Sequence, residues 1–201
     1  MTEPDHSGET PTRCGYVAIV GAPNAGKSTL VNRLVGAKVA IVTPKVQTTR
    51  ARLLAIATLG ASQVIFVDTP GIFVQTKRRL ERAMVQAAWS GAADADLVVL
   101  LVGAKRGRDA DTDLIVEGLK TAGRQAVLAL NKVDIAPRAE LLALAQSFDA
   151  EGIFTDTFML SALDGSGVAD LETLLAGAVP EGPWLYPEDQ LADISERLLA
   201  A

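Results

Sequence analysis

Residues 21–28 combine two glycines, a lysine and a serine at spacings suited to holding phosphate groups. Gly21 and Gly26 allow the backbone to pass close to phosphate oxygens, so that its N–H groups form an anion-binding concavity. Lys27 could reach the β- and γ-phosphates, and the Ser28 hydroxyl could ligate Mg²⁺. An apolar run precedes this segment and helical spacing follows it, as in the phosphate-binding motif G-x-x-x-x-G-K-[ST]. The pattern therefore predicts a nucleotide phosphate site.

A second segment, residues 131–134 with the sequence Asn-Lys-Val-Asp, has side chains suited to guanine. Guanine presents an exocyclic amine and a ring N–H on one edge, and the Asp134 carboxylate can accept hydrogen bonds from both. Asn131 suits the other edge of the base and a tie to the phosphate loop, and the Lys132 stem could lie along the ring face. Alone, this tetrapeptide is more typical of a capped turn. With a phosphate loop upstream, it favours guanine recognition.

Between these two motifs, residues 68–71 have the sequence Asp-Thr-Pro-Gly after the apolar run 64–67. Asp68 is therefore expected at the carboxyl end of a strand, where α/β sheets place ligands. Its carboxylate can hold the Mg²⁺ shell directly or through water. The Gly71 amide can approach the γ-phosphate because no side chain blocks it. An ordinary Pro-Gly turn is the alternative interpretation of this segment.

The elements that must position these motifs follow from apolar periodicity. Strands are predicted at 16–20, 53–58, 63–67, 97–102, 126–130 and 157–160, and helices at 27–35, 77–92, 111–122, 138–147 and 168–179. Gly60 with the two residues after it predicts an antiparallel hairpin between the second and third strands. The remaining alternation predicts an α/β fold of the P-loop NTPase class, with a six-stranded, mostly parallel sheet and helices on both faces.

Composition bounds the class of protein. The 201 residues have room for one such domain, and 49% of them are hydrophobic, which suits buried parallel strands. Cys14 is the single cysteine, which excludes an internal disulfide and favours a reducing cytoplasm. The longest apolar stretch, 97–102, is far too short to span a bilayer. Asp109, Asp111 and Asp113 alternate like metal ligands, but we expect a capped, acidic helix start there.

In this order, the three motifs resemble those of GTPases of the translation-factor class. The finer resemblance is to the Era family, bacterial GTPases of small-ribosomal-subunit assembly. Besides the Gly-x-Pro-Asn-x-Gly-Lys-Ser form of the first loop, the similar segments are the Gln-Thr-Thr-Arg run 47–50, the Asp-Thr-Pro-Gly-apolar run 68–72, the Ser-Ala-Leu turn 161–163 and the Tyr-Pro-Glu-Asp run within 184–190. In Era proteins the last of these leads into an RNA-binding domain, so we expect Trp184 and Tyr186 to anchor a linker.

The polar N-terminal segment, which contains Pro4 and Pro11, predicts a disordered leader over residues 1–14. The resemblance implies an Era-type G domain over 15–180, and a linker with the start of a C-terminal KH domain over 181–201. It implies a GTP hydrolase that binds GTP and GDP with Mg²⁺ and switches the assembly of the 30S subunit and the maturation of 16S rRNA. RNA would be contacted by the KH domain of the parent protein, which this chain lacks. The chain has no Gly-x-x-Gly loop, and its net charge of −5 gives no basic excess for RNA.

The same resemblance assigns roles to individual residues. Catalytic roles fall on Lys27, Thr49 and Gly71, and Mg²⁺ ligation falls on Ser28, Thr49 and Asp68, with Thr48 as the rival of Thr49. The nucleotide-contacting residues are Gly21, Ala22, Pro23, Asn24, Ala25, Gly26, Lys27, Ser28, Thr29, Asp68, Thr69, Pro70, Gly71, Ile72, Asn131, Lys132, Asp134, Ser161, Ala162 and Leu163.

Two residues leave alternatives open. Ile72 stands where GTPases such as Ras carry the glutamine that orients the attacking water, so slow hydrolysis is expected, with Gln75 as the alternative water-positioning residue. In relatives, an asparagine at the position of Asn24 can support a K⁺ ion beside the phosphates. Stabilising the turn of the loop is the equally weighted alternative for Asn24.

The function also leaves alternatives open. One is another GTPase of the same clan, acting in tRNA modification or large-subunit assembly. The other is a recruitment module that holds nucleotide without useful turnover. We expect a cytoplasmic monomer, with peripheral contact at the inner face of the cell membrane as an open alternative.

Overall fold

A computed structural model describes residues 11–36, 40–42, 54–67 and 95–186 of the chain. The strands in these ranges are β1 (Arg13–Val20), β2 (Ala40–Val42), β3 (Leu54–Leu59), β4 (Ser62–Val67), β5 (Leu97–Gly103), β6 (Ala126–Asn131) and β7 (Phe154–Leu160). The helices are α1 (Lys27–Val35), α2 (Ala110–Thr121), α3 (Arg138–Asp149) and α4 (Val168–Ala178), with a 3₁₀ turn at Val133–Ile135. The predicted helix 77–92 lies outside the described residues.

One sheet contains all seven of these strands, in the order β2-β3-β4-β1-β5-β6-β7. The pairs β2–β3 and β3–β4 are antiparallel, and the other four pairs are parallel. The predicted mostly parallel sheet and its hairpin at Gly60 are therefore confirmed. The predicted count of six needs a correction, since β2 adds a short edge strand. Three residues are too few to show a strand period, and pairing with β3 defines β2.

Helices cover both faces of the sheet, as predicted. Consecutive residues of β1 point to opposite faces, so Val17 and Ile19 lie in one apolar cluster and Ala18 and Val20 in the other. The first cluster also contains buried residues of α1 and α4, and the second contains buried residues of α2 and α3. Because both faces are covered, the central strands are almost continuously apolar.

Helix ends follow local chemistry. The predicted bounds of α1 are confirmed, since Gly26 (φ 102°) and Gly36 (φ 66°) end the helical geometry on either side. Asp109 caps α2 by accepting hydrogen bonds from the Thr112 amide at 2.8 Å and the Thr112 hydroxyl at 2.7 Å. The acidic helix start is thereby confirmed, and the described part of the chain contains no cluster of three metal-ligating side chains. None of the described helices is long and apolar enough to cross a membrane.

The segment before residue 187 is fastened to the end of the sheet where β1 and β4 begin. The fully buried Gln63 donates its amide N–H to the Tyr186 carbonyl at 2.7 Å and accepts hydrogen bonds from the Leu185 and Tyr186 amides at 3.0 and 3.1 Å. The Trp184 indole donates to the Ala61 carbonyl at 3.0 Å. Tyr186 also packs near the Ile56–Ile65 pair. The two aromatic residues therefore anchor this exit segment, as predicted.

Candidate functional site

The phosphate loop lies between β1 and α1, at the carboxyl ends of the parallel strands. Asn24 (φ 63°) and Gly26 (φ 102°) both adopt left-handed backbone conformations, which turn the chain sharply before the helix begins. A Cβ on Gly21 would collide with the Leu101 carbonyl of β5, so this position also requires glycine. The loop has the strand–loop–helix setting that the sequence predicts.

Lys27 turns its side chain back into this loop. Its ammonium donates to the Gly21 carbonyl at 2.7 Å and to the Ala22 carbonyl at 3.0 Å, and only 7% of the residue is exposed. Burial lowers the pKa of Lys27 to about 8, because the low-dielectric surroundings disfavour the charged form. A phosphate held by the loop would supply the negative charge that two neutral carbonyls do not. The lysine is thus placed for an anionic ligand.

Asn131 joins the three loops of the site. Its amide N–H donates to the Ala25 carbonyl of the phosphate loop at 2.8 Å. Its side-chain oxygen accepts from the Lys132 amide at 2.8 Å and from the Ala162 amide at 2.9 Å. The residue is 1% exposed, so the predicted tie to the phosphate loop is present and is fully buried. A Cβ on Gly26 would collide with this amide group, which gives Gly26 a second reason to lack a side chain.

Lys132 and Asp134 lie just after β6, and Lys132 lines a cavity beside the phosphate loop. Lys132 has a left-handed backbone (φ 67°), and its ammonium donates to the Asn24 carbonyl at 2.8 Å. Its aliphatic stem therefore runs from the loop after β6, here called the base loop, to the phosphate loop. Asp134 lies exposed in the 3₁₀ turn, and no protein group within the described ranges hydrogen-bonds its carboxylate. That carboxylate can accept two N–H groups from a ligand.

The Ser-Ala-Leu segment forms a tight turn between β7 and α4. The Ser161 hydroxyl accepts from the Asp164 amide at 3.3 Å, and the Gly165 amide donates to the Ser161 carbonyl at 2.8 Å. The Asp164 carboxylate accepts from the Ser166 amide at 2.8 Å, and hydrogen bonds from Ser166 lower its pKa. Ser161 and Ala162 are buried, and Leu163 is exposed. The buried amide of Ala162 brings this turn to Asn131.

Two arginines that the sequence did not single out also contact these loops. Arg33 of α1 donates to the Ala162 carbonyl at 2.6 Å and to the Leu163 carbonyl. Arg106, after β5, donates to the Pro23 carbonyl at 3.2 Å and pairs with Asp109. Neither contact has a sequence signal of its own. Gly165, which lies beside the Arg33 guanidinium, is the sequence feature most closely connected with the Arg33 contact.

A cavity of about 330 Å³ adjoins the phosphate loop, beside Arg106. The predicted site residues of the phosphate loop, the Asn-Lys-Val-Asp segment and the Ser-Ala-Leu turn are thus brought together, linked by Asn131. Thr29 lies exposed in the first turn of α1, next to the half-buried Ser28. The remaining predicted residues, Thr49, Asp68, Thr69, Pro70, Gly71 and Ile72, lie outside the described residues.

The sequence family agrees with this geometry. A family model described as 50S ribosome-binding GTPase matches residues 16–132. The chain belongs to this GTPase family. The proteins named GTPase Era from Rhizobium meliloti (strain 1021) and Bradyrhizobium sp. (strain ORS 278) are 56% and 54% identical to it over 97% and 100% of its length. It spans 62% and 65% of their lengths. The resemblance to Era proteins is therefore confirmed.

Solved structures give the same result. A crystal structure of an Aquifex aeolicus Era variant bound to GDP·AlF₄⁻ is 36% identical, with a TM-score of 0.71 over 89% of this chain and 61% of that one. An Era complex with MgGDPNP and nucleotides 1506–1542 of 16S ribosomal RNA has the same identity and coverage, with a TM-score of 0.72. The G domain of the Thermotoga maritima FeoB iron transporter, at 20% identity over 82% of this chain and 98% of that one, has a TM-score of 0.58 and shares the fold alone.

Proposed function

We propose that this chain binds GTP and GDP with Mg²⁺, hydrolyses GTP slowly, and acts as a nucleotide switch in small-subunit (30S) assembly and 16S rRNA maturation. The observation that carries the proposal is the tie through Asn131, which holds the phosphate loop beside the two loops suited to guanine. The Asp134 carboxylate is left exposed at the same place. The similarity to proteins named GTPase Era supports the assignment, as does the Era structure that contains MgGDPNP and 16S rRNA.

Different residues of the site are proposed to bind the phosphates, the base and Mg²⁺. Lys27 would exchange its two carbonyl partners for phosphate oxygens, and the loop amides would surround the same oxygens. Lys132 and Asn131 would fix the base pocket, with Asp134 reading the amine edge of guanine. The Ser28 hydroxyl oxygen, in the first turn of α1, is a type of ligand suited to Mg²⁺. Thr49 and Asp68 are proposed as further ligands. When bound, Mg²⁺ neutralises charge on the β- and γ-phosphates.

Hydrolysis is proposed to be slow because Ile72 has no group that could orient water. Charge stabilisation by Lys27, with the Gly71 amide and Thr49, would then be the main catalytic contribution. A recruitment module that holds nucleotide without turnover is the alternative, and multiple-turnover phosphate release separates the two. The left-handed backbone of Asn24 already accounts for an asparagine there. A K⁺ role for Asn24 is retained as a further proposal, which equal GTP turnover in KCl and NaCl would remove.

The ribosomal role is proposed for the whole protein. We propose a G domain at residues 15–180 and a linker with the start of a KH domain at 181–201, with 16S rRNA bound by the KH domain of the parent protein in the cytoplasm. A monomer is proposed, and peripheral contact with the inner face of the membrane is the alternative location. The family description names the 50S ribosome, so a large-subunit GTPase is the rival function. Cosedimentation of the parent protein with 50S and not 30S subunits would favour that rival.

Nucleotide preference tests the proposal directly. The chain is titrated with fluorescent GDP, which is then competed with unlabelled GTP and ATP, and the same is done for Asp134→Asn. We expect competition by GTP and not by ATP, and a loss of guanine preference of about tenfold or more in the variant, because the amide replaces one acceptor by a donor facing the guanine N–H groups.

Asp156→Asn is the matched control, since it removes the same charge from an exposed residue of β7. It should leave guanine preference unchanged. Equal competition by ATP against the unmodified chain would overturn the guanine assignment.

A further inference from the structure

We infer that Arg33 is a positioning residue for guanine specificity, because it fixes the Ser-Ala-Leu turn to the helix that follows the phosphate loop. This inference rests on the proposed function, in which that turn forms part of the base pocket. Arg33 hydrogen-bonds two backbone carbonyls of the turn, and its charge adds to the hydrogen bonds from Ser166 in lowering the pKa of Asp164 in the same turn.

The contact is made by one guanidinium and two consecutive carbonyls. The Arg33 Nε–H donates to the Ala162 carbonyl at 2.6 Å, and an Nη2–H donates to the Leu163 carbonyl. A planar guanidinium presents its N–H groups as a rigid fork, so two bonds to neighbouring acceptors fix the direction as well as the position of the turn. The residues joined are 129 and 130 positions apart in sequence. A hydrogen bond within a single helix or turn cannot connect residues so far apart in sequence.

Burial and hydrogen bonds within the turn hold Ser161 and Ala162, but they do not hold Leu163. Leu163 is 75% exposed, so burial of its side chain does not fix the backbone. The Ala162 amide is held by Asn131, whereas its carbonyl is held by Arg33. Asn131 of the base loop and Arg33 of α1 thus hold the peptide groups of the turn from two directions.

Gly165 leaves the space that the guanidinium needs. A Cβ at this position would lie 2.7 Å from Arg33 Nη1, and the backbone there has φ of 97°. A side chain here would displace the guanidinium, and the left-handed backbone conformation itself favours glycine. Gly165 therefore leaves room for the guanidinium to make its two hydrogen bonds to the turn.

A simpler explanation of Arg33 is the favourable interaction of a basic residue with the last turn of a helix. That explanation requires only that the charge lie near the carbonyl end of α1. It does not account for bonds to two carbonyls of another loop. Since α1 begins at Lys27 and Ser28, Arg33 connects the phosphate and base halves of the site through one helix of nine residues.

The test uses Arg33→Gln and Arg33→Lys in the full chain, with Arg13→Gln as the matched control. Arg13 also donates to two backbone carbonyls, those of Gly177 and Val179, but at the opposite end of the sheet. Three quantities are measured for each protein: the dissociation rate of fluorescent GDP, the ratio of the GDP and ADP affinities, and the unfolding temperature without nucleotide.

We expect Arg33→Gln to raise the GDP dissociation rate about tenfold and to lower the GDP/ADP affinity ratio by a similar factor. Arg33→Lys should recover part of the ratio, because an ammonium can reach one carbonyl but lacks the fork. Arg13→Gln should lower the unfolding temperature without changing the ratio. This ratio separates positioning from general stability, which would weaken both nucleotides equally.

The outcomes are distinguishable. An unchanged ratio in Arg33→Gln, with an unmodified chain that prefers GDP, would overturn the role of Arg33 and leave the proposed function standing. An unmodified chain that binds ADP as tightly as GDP would instead overturn the proposed function.

Discussion

The phosphate half and the base half of the site are built in different ways. The phosphate half is one continuous segment, in which Lys27 bonds to carbonyls five and six residues before it. The base half is assembled from the loop after β6 and the turn after β7, about thirty residues apart. Asn131 and Arg33 connect those pieces to each other and to the phosphate half.

This difference determines what each half depends on. The shape of the phosphate loop follows from glycines, a helix start and one lysine, all within eight residues. The shape of the base half depends on buried or bidentate side-chain bonds across the fold, so it should change when those bonds are removed. Substitutions in the phosphate half should therefore affect affinity mainly, and substitutions in the base half should affect stability and specificity together.

The largest effect is expected from Lys27→Ala. Hydrogen bonds to charged groups contribute about 1.5–3 kcal/mol each, so losing contacts to two phosphate oxygens should weaken GTP and GDP binding by several hundredfold or more. The free energy of unfolding of the nucleotide-free protein should change little, because removal of a buried ammonium offsets the loss of its two hydrogen bonds to carbonyls. Isothermal titration and chemical denaturation measure the two quantities. Lys120→Ala, on α2, is the control, and a large loss of stability in Lys27→Ala would contradict this division.

An intermediate effect is expected from Asn131→Ala, in the base half of the site. The substitution leaves the Ala25 carbonyl and the Ala162 amide without their buried partner, at a cost of about 2–4 kcal/mol in the free energy of unfolding. Guanine preference should fall as well. Denaturant titration without nucleotide gives the stability, with the exposed Asn32→Ala on α1 as control. A variant that loses affinity but keeps full stability would show that the base half is held by other contacts.

The smallest effect is expected from Asp109→Ala, which removes the cap of α2 and the partner of Arg106 beside the phosphate loop. Burial alone would raise the pKa of Asp109, but hydrogen bonds from Thr112 and the charge of Arg106 outweigh it and lower the pKa. The stabilisation is therefore complete above the ordinary value of 3.8 and is lost as the pH falls through the lower folded pKa.

The difference in unfolding free energy between the unmodified chain and Asp109→Ala should be about 1 kcal/mol at pH 7 and should shrink below pH about 4. Denaturation at several pH values measures it, with the exposed Asp170→Ala in the first turn of α4 as control. A difference that grows as the pH falls would have the wrong sign for a cap whose carboxylate is the stabilising form.

The predictability of the site follows the same division. The phosphate loop and the bounds of α1 were predicted from sequence, because glycines and helix periodicity are local signals. The tie from Asn131 was also predicted, since the motif is itself local. Arg33, Arg106 and Gln63 were not singled out, because a side chain that bonds to a distant backbone carbonyl leaves no pattern around it. The strand β2 was missed for a related reason, since its pairing with β3 and not its sequence defines it.

The position of Gln63 in the sheet sets the distance between the nucleotide site and the segment that ends at Tyr186. Gln63 lies near the start of β4 and Val67 at its end, so four residue steps of about 3.3 Å, roughly 13 Å in all, separate the Tyr186 anchor from the phosphate-loop end of the sheet. This exceeds the screening length of about 8 Å in physiological salt. Direct interaction between solvent-exposed charges at this separation is largely screened. A change at the nucleotide site would therefore reach Tyr186 mainly through movement of the two paired strands that join these ends, β1 and β4.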